Sequence, residues 1–207
     1  MNAAVTVVRI LFVSTIVFEL LSFLRIFKIE IVYTWLGLMI TASVSWALLE
    51  SIARAYQKKK KKRFHAIIWW ILFVGVAIDA AGDLLHMYRD YLWWDKFVHF
   101  FVSAAMCFTL YIIANAFWVD SWKFTLLMRS GREKLALLIA SSCTLAFGAL
   151  YEIEEYVEDI LFHTNRLGPG TDTADDLFMN AMGVLLVFIF LKAYYAVTHK
   201  RFSSVSL

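Results

Sequence analysis

Residues that break or staple a chain are scarce in this sequence. One proline, Pro169, and eight glycines occur in 207 residues. There is no internal repeat, and no low-complexity tract beyond a single lysine run. The two cysteines, Cys107 and Cys143, each sit midway through a different apolar segment, where neither a reactive thiolate nor an oxidised pair is expected. They read as packing residues, and cysteine usage is silent about compartment. Signatures of known phosphatases and transferases are missing, so no motif names a reaction. The largest absence is of long polar stretches. The chain is 61% hydrophobic and 17% aromatic, with mean hydropathy +0.68, where a soluble domain is roughly half apolar.

What is present instead is a recurring run of about 20 apolar residues, enough to cross a ~30 Å hydrocarbon core. The composition predicts an all-α integral membrane protein, a six-helix bundle forming one polytopic domain over residues 1–207. Spans are expected at about 5–27, 31–56, 66–88, 95–118, 135–161 and 176–197, helical because backbone inside a bilayer must satisfy its own hydrogen bonds. The first stretch carries Arg9, Glu19 and Arg25 and lacks a small-residue cleavage site, and reads as a retained span.

Basic residues set the expected orientation. Twelve fall in 57–65 ("QKKKKKRFH"), 119–134 and the tail, against four (Lys28, Arg89, Lys96, Arg166) in the other connections. This asymmetry predicts cytoplasmic termini in a cell (inner or cytoplasmic) membrane. The lysine run reads as a topogenic signal, with contact to anionic lipid as the second reading; no nucleic-acid partner is expected.

Under that topology the ionisable residues sort to one side. In "VAIDAAGDLLHMYRD", Asp79, Asp83, His86 and Asp90 follow i, i+4, i+7, i+11 spacing, within about 60° of one another on a continuous helix. "DKFVHF" places Asp95 and His99 one turn apart, and "GALYEIEEYVED" puts Glu152, Glu155 and Asp159 on one face. Glu154 and Glu158 point the other way and read as surface or loop-pairing residues. In "TDTADDLFMNAMG", Asp172 or Thr173 can cap a helix while Asp176, Asn180 and Gly183 form a stripe. All four polar ends are expected to meet in the outer third of the bilayer.

A carboxylate near the centre of a span costs about 2.5–3.5 kcal/mol even on the lenient scale. Seven inward-facing carboxylates therefore need a multivalent cation, shared protons or basic partners. The local cations, Arg89, Lys96, Arg166 and Arg25, are too few. The expected metal-ligating set is Asp79, Asp83, His86, Asp95, His99, Glu152, Glu155, Asp159, Asp172 and Asp176, with a divalent metal (Mn, Fe, Zn or Mg) as cofactor. For His86 and His99 a hydrogen-bonding place in a polar network is the competing reading, while His65, His163 and His199 read as solvated. Glu50 is expected to pair with Arg54 or to snorkel to the interface.

The run "DKFVHFFVSAAM", then "GALYEIEEYVEDIL", then "RLGPGTDTADDLFMNAMGVLL" resembles the YjdF-type family of predicted multi-pass membrane proteins over roughly 66–197. More distantly, D-K-x-x-H-F, a glutamate in the next span and R…D…D-x-x-x-N-x-x-G are similar to the VanZ-like proteins associated with glycopeptide resistance. That likeness covers about 95–183 and points to Asp95, Lys96, His99, Glu152 or Glu155, Arg166, Asp172, Asp176, Asn180 and Gly183. Glu155 departs from it, standing where a glutamine often follows. The expectation is a metal-dependent membrane enzyme acting on a lipid or polyprenyl-linked headgroup. Glu155 and Asp176 would be catalytic, and Arg89, Lys96, Arg166 and Asn180 would bind substrate. A cation- or proton-coupled transporter and a non-catalytic lipid-binding protein are the alternatives; oligomeric state is left open.

Overall fold

A computed structural model describes residues 3–118 and 131–203, with side chains through residue 197. Its elements are α1 (Ala3–Phe23), α2 (Trp35–Lys60), α3 (Ala66–Leu84), the single turn α4 (Met87–Asp90), α5 (Trp94–Trp118), α6 (Gly131–Phe162) and α7 (Asp172–Ser203). All but α4 are long and apolar enough to cross a membrane, and the described residues contain no strand. Most of the expected connection 119–134 and the tail side chains of His199, Lys200 and Arg201 lie outside the described residues.

Capping chemistry moves several expected boundaries. Arg25 adopts φ 60 just beyond α1, so the chain turns away well before residue 31. Thr34 then caps α2, its extended backbone (φ −128, ψ 140) letting Oγ1 accept from Gly37 N at 3.0 Å and satisfy an otherwise orphaned donor. α2 continues into the lysine run and stops at Lys61, whose φ of 54 returns its N–H to Gln57 O. Lysines in that last turn complement the helix dipole. The third span ends at Leu84, not 88, because His86 takes a left-handed conformation (φ 56) and begins α4. The stripe expected from Asp79 to Asp90 is therefore cut. α7 starts at Asp172, a full turn earlier than expected.

The helices form two trios. α1 packs on α2 and α3, and α5 packs on α6 and α7; α3 meets α5 and ties the trios together. One core, with Phe12, Leu49, Tyr56, Ile68 and Trp69, fills the first trio. A second, with Cys107, Tyr111, Leu137, Ala140 and Leu191, fills the other. Gly183 permits the closest crossing, since a Cβ there would run into Phe100 O and Ala104 N of α5, the small-residue contact that lets membrane helices touch backbone to backbone. Apolar residues such as Ile10, Val44, Leu138 and Ile189 stay exposed on the outer faces, where lipid takes the place of water. Arg9, unexplained in the sequence, pairs with Glu50 at 2.6 Å and lies 4.9 Å over the Trp69 ring; Glu50 also lies 3.6 Å from Arg54.

Candidate functional site

The polar residues gather at the end of the bundle where α3 and α6 finish and α5 and α7 begin. Helical geometry divides them into two adjoining centres.

The first lies among α5, α6 and α7. One ligand atom each from Asp95, His99 and Asp176 fall within 4.8 Å of one another, a possible metal-binding group. His99 Nε2 is 3.6 Å from Asp95 Oδ1 and 3.6 Å from Glu152 Oε1. On its other side, His99 Nδ1 lies 3.4 Å from Asn180 Oδ1, which also accepts from Ser103 Oγ at 2.6 Å. With Oδ1 serving as acceptor, the assigned tautomer carries its proton on Nδ1. The Nε2 lone pair then faces two to three carboxylates. Among the described residues neither Glu152 oxygen nor Asp176 Oδ1, all buried, has a well-formed hydrogen bond, with Thr173 the donor nearest Glu152, and buried acceptors so poorly supplied normally demand an explanation. Gly148 makes room for this packing: a Cβ there would lie 2.5 Å from Asn180 Nδ2.

The second centre is built on Arg166, in the loop after α6 and only 4% exposed. Its Nε and Nη2 donate to Glu155 Oε1 at 3.3 and 3.2 Å, its Nη1 to Glu158 Oε2 at 3.1 Å and its Nη2 to Tyr151 Oη at 2.7 Å. The guanidinium also lies over the Tyr33 and Tyr151 rings, a favourable cation–π placement. Burial opposes its charge, but Tyr151, Glu155, Asp79 and Glu154 outweigh that and hold it well above its ordinary pKa. Thr34 Oγ1 donates to Glu158 Oε1 at 2.5 Å, and burial, reinforced by Asp95 and Glu155, pushes the Tyr33 phenol up. Asp79 adjoins this centre, accepting from Tyr88 Oη at 2.7 Å and, more weakly, from Tyr151 Oη at 3.4 Å. Asp83 accepts from Tyr33 N at 2.8 Å. Glu155 is the hinge between the centres, with Asp95, Glu152 and Asp176 among its electrostatic neighbours.

Of the ten residues expected to ligate metal, Asp95, His99, Asp176 and Glu152 come together. Asp79, Asp83 and Glu155 sit beside them in the Arg166 network. His86 is carried off the helix axis by its left-handed turn. Asp159 closes the following loop, its carboxylate accepting from Thr164 Oγ1 at 2.5 Å, Arg166 N at 2.8 Å and Leu167 N at 3.1 Å. Asp172 begins α7, with Oδ2 against Gly168, whose φ of +63 has no side chain to obstruct it. Among the expected substrate-binding cations, Arg89 is paired with Asp90, whose carboxyl it holds below the usual range through a hydrogen bond, and Lys96 pairs with Asp175 at 2.6 Å. Arg25 is exposed at the end of α1.

Of the two readings of Glu154 and Glu158, loop pairing holds for Glu158, which bonds the loop residue Arg166 that it shares with Glu155, but a surface place does not: it is 4% exposed. Glu154 is half-buried, with both oxygens shielded. Sequence reasoning also missed Glu19, 1% exposed with neither oxygen hydrogen-bonded among the described residues, and the polar partners Tyr33, Thr34, Tyr88, Ser103 and Tyr151. For Glu19 a signal existed. It lies four residues from the end of α1 and Asp79 five from the end of α3, about 6 and 7.5 Å deep at ~1.5 Å per residue.

Compared with known proteins, residues 7–196 match the family described as predicted membrane proteins, DUF2238, and the chain belongs to it. This agrees with the YjdF-type resemblance. No curated protein matches, and no solved structure does.

Proposed function

We propose that this member of the DUF2238 family holds a divalent cation at the α5–α6–α7 centre and uses it on the headgroup of a lipid or polyprenyl-linked substrate. One observation carries the reading: Asp95, His99 and Asp176 offer ligand atoms within 4.8 Å of one another, with Glu152 adjoining and, among the described residues, no Lys or Arg within ion-pairing distance of the three. Three carboxylates and an imidazole are hard-to-borderline donors suited to Mn, Fe, Zn or Mg. Such a cation supplies Lewis-acid stabilisation of a phosphoryl oxygen or an activated water. The chain supplies the rest. Asn180 and Ser103 fix the His99 tautomer, in the way that partners of a ligating imidazole normally do. Glu155, oriented by Arg166, is placed as general base, and Asp176 either ligates or shares that role. Arg89 and Lys96 hold exposed carboxylates in pairs worth little, so an anionic headgroup can displace these partners at the mouth. Arg166, fully engaged by Glu155 and Glu158, serves to position Glu155. The basic-residue asymmetry supports an outward-facing site in the cell membrane.

Beneath the centre, Cys107, Tyr111, Leu137, Ala140, Val187 and Leu191 pack into an apolar core. That plug supports a site working from one side over a transport path. The test is elemental analysis of purified protein beside His99→Ala, Asp176→Ala and His86→Ala. Metal is expected in wild type and His86→Ala and absent from the other two. Equal metal in all four, or none in wild type after supplementation with Mn and Zn, rejects the reading.

A further inference from the structure

At the end of the bundle opposite the acidic site, α2 leaves its apolar sequence after Ala53 and runs on as a basic helix to Lys60. Arg54, Gln57, Lys58 and Lys61 line a shallow, open hollow of about 430 Å³. The i, i+3, i+4 spacing of Arg54, Gln57 and Lys58 puts them on one helical face, and Lys61, the residue that ends the helix, closes the hollow beyond them. Among the described residues the carboxylate engaged there is Glu50, which is 3.6 Å from Arg54 but held at 2.6 Å by Arg9. Three cations thus line one space, with Glu50 as their described counter-charge.

The face is built in advance of any ligand. Lys61 turns back through its left-handed backbone, donating to Gln57 O at 2.9 Å. Tyr56, 1% exposed, packs edge-on to Phe64 and Phe117, and Lys59 lies over Phe117. His65 caps α3, accepting from Ile67 N. The backbone and aromatic base of the face are thus set in advance, while Arg54, Gln57, Lys58 and Lys61 keep exposed side chains that an anion would order on binding. Depth matters as well. Ile40, Val44 and Leu48 leave one side of α2 bare to lipid, and the hollow begins nearly two turns beyond them, about 9 Å further along the axis and toward headgroup level.

We propose that this hollow binds the headgroup of an anionic phospholipid, its phosphate accepting from Arg54, Lys58 and Lys61 while its acyl chains lie along the bare side of α2. Guanidinium and ammonium donors both suit a phosphate. A free phosphate shares that chemistry, but only the lipid arrives at this depth with chains that the adjoining apolar surface can cover.

Native mass spectrometry of the full chain, released from detergent containing equal phosphatidylglycerol and phosphatidylcholine, tests the assignment. Phosphatidylglycerol adducts are expected to predominate in wild type. Arg54→Gln/Lys58→Gln/Lys61→Gln should cut that preference by about fivefold per cation removed, from ~1 kcal/mol each. Lys59→Gln/Arg63→Gln, which removes neighbouring cations outside the hollow, should leave the preference intact. An equal loss in both variants makes the effect one of general charge and overturns the site. Absence of any preference in wild type overturns it without recourse to a variant. Displacement by inorganic phosphate with no preference between the lipids assigns the hollow to a soluble anion and overturns the lipid reading.

Discussion

Replacing Arg166 with methionine keeps most of the side chain's volume and removes the cation that, among the described residues, holds its network together. The loss can be worked through from the contacts. Glu155 and Glu158 would face each other at 3% and 4% exposure with no guanidinium between them, and Tyr151 Oη would lose its 2.7 Å donor. Deleting one partner of a buried pair costs about 3–5 kcal/mol, because the remaining charge stays desolvated. For a chain of this size that corresponds to roughly 10 °C in unfolding midpoint. Arg166→Lys keeps the charge but cannot span two carboxylates and a phenol with a planar fork, so it should fall between the two. Adding Glu155→Gln and Glu158→Gln to Arg166→Met removes the stranded charges and should recover at least half of the loss. Thermal unfolding in detergent, followed by tryptophan fluorescence, reads all four proteins. If Arg166→Met melts within about 2 °C of wild type, or the triple variant melts no higher than Arg166→Met, the network is not what holds this end of the bundle together.

Other outcomes follow from the same geometry. Glu19→Leu removes a buried carboxyl with no hydrogen bond and should raise stability by about 1–3 kcal/mol in the same melt; a lower midpoint would mean that Glu19 has a partner in the working protein. Gly183→Ala presses a methyl against the α5 backbone at Phe100 and Ala104 and should cost about 1–3 kcal/mol, whereas Gly131→Ala, with open space around it, should be silent. Ser103→Ala and Asn180→Ala should each weaken metal binding roughly 10- to 100-fold through His99 in a competition assay with a chromophoric chelator; unchanged affinity in both would detach that pair from the site. Three of the α6 glutamates should separate: Glu152→Gln lowers metal affinity with little change in melting, Glu158→Gln lowers melting with little change in affinity, and Glu155→Gln moves both. A common response in all three would deny that there are two centres.

Much of the fold was legible because a bilayer leaves few choices. Apolar length and the basic-residue breaks located six helices to within about a turn. Misplaced ends came from local chemistry with no periodic signal. His86, one residue past the third helix, takes a left-handed backbone, and nothing in "DLLHMYRD" announces it, so a stripe that was continuous on paper is broken in space. Asp95, His99, Asp176 and Asn180 were legible from turn-by-turn spacing on two helices that begin at the same level. Glu158 was not, because the sequence had been divided into two opposite faces. A helix packed in a bundle has neighbours on more than two sides. Glu19 escaped for a different reason: a lone acid in an apolar span has no pattern, and depth alone relates it to Asp79.

The spacing of the α6 acids explains how one helix serves both centres. Steps of three residues turn a side chain back by about 60° each at ~100° per residue, so Glu152, Glu155 and Glu158 sweep roughly 120° around the axis. Glu152 meets His99 of α5, Glu158 meets Thr34 at the start of α2, and Glu155 stands between them on Arg166. A four-residue ladder would have kept all three acids on one side and concentrated their charge. The drift instead distributes it, and the distribution is unequal. Arg166 compensates Glu155 and Glu158 by direct hydrogen bonds, while Glu152, Asp95 and Asp176 receive no comparable donor from the described residues. Among the described residues, a large part of the unmet electrostatic demand at this end of the bundle is thereby gathered around His99 Nε2, a nitrogen lone pair placed among those three carboxylates. That localisation, more than the number of acids, is what favours a bound cation over protons spread through the network, because a proton shared among three acids has no need of an imidazole whose opposite nitrogen is held by Asn180.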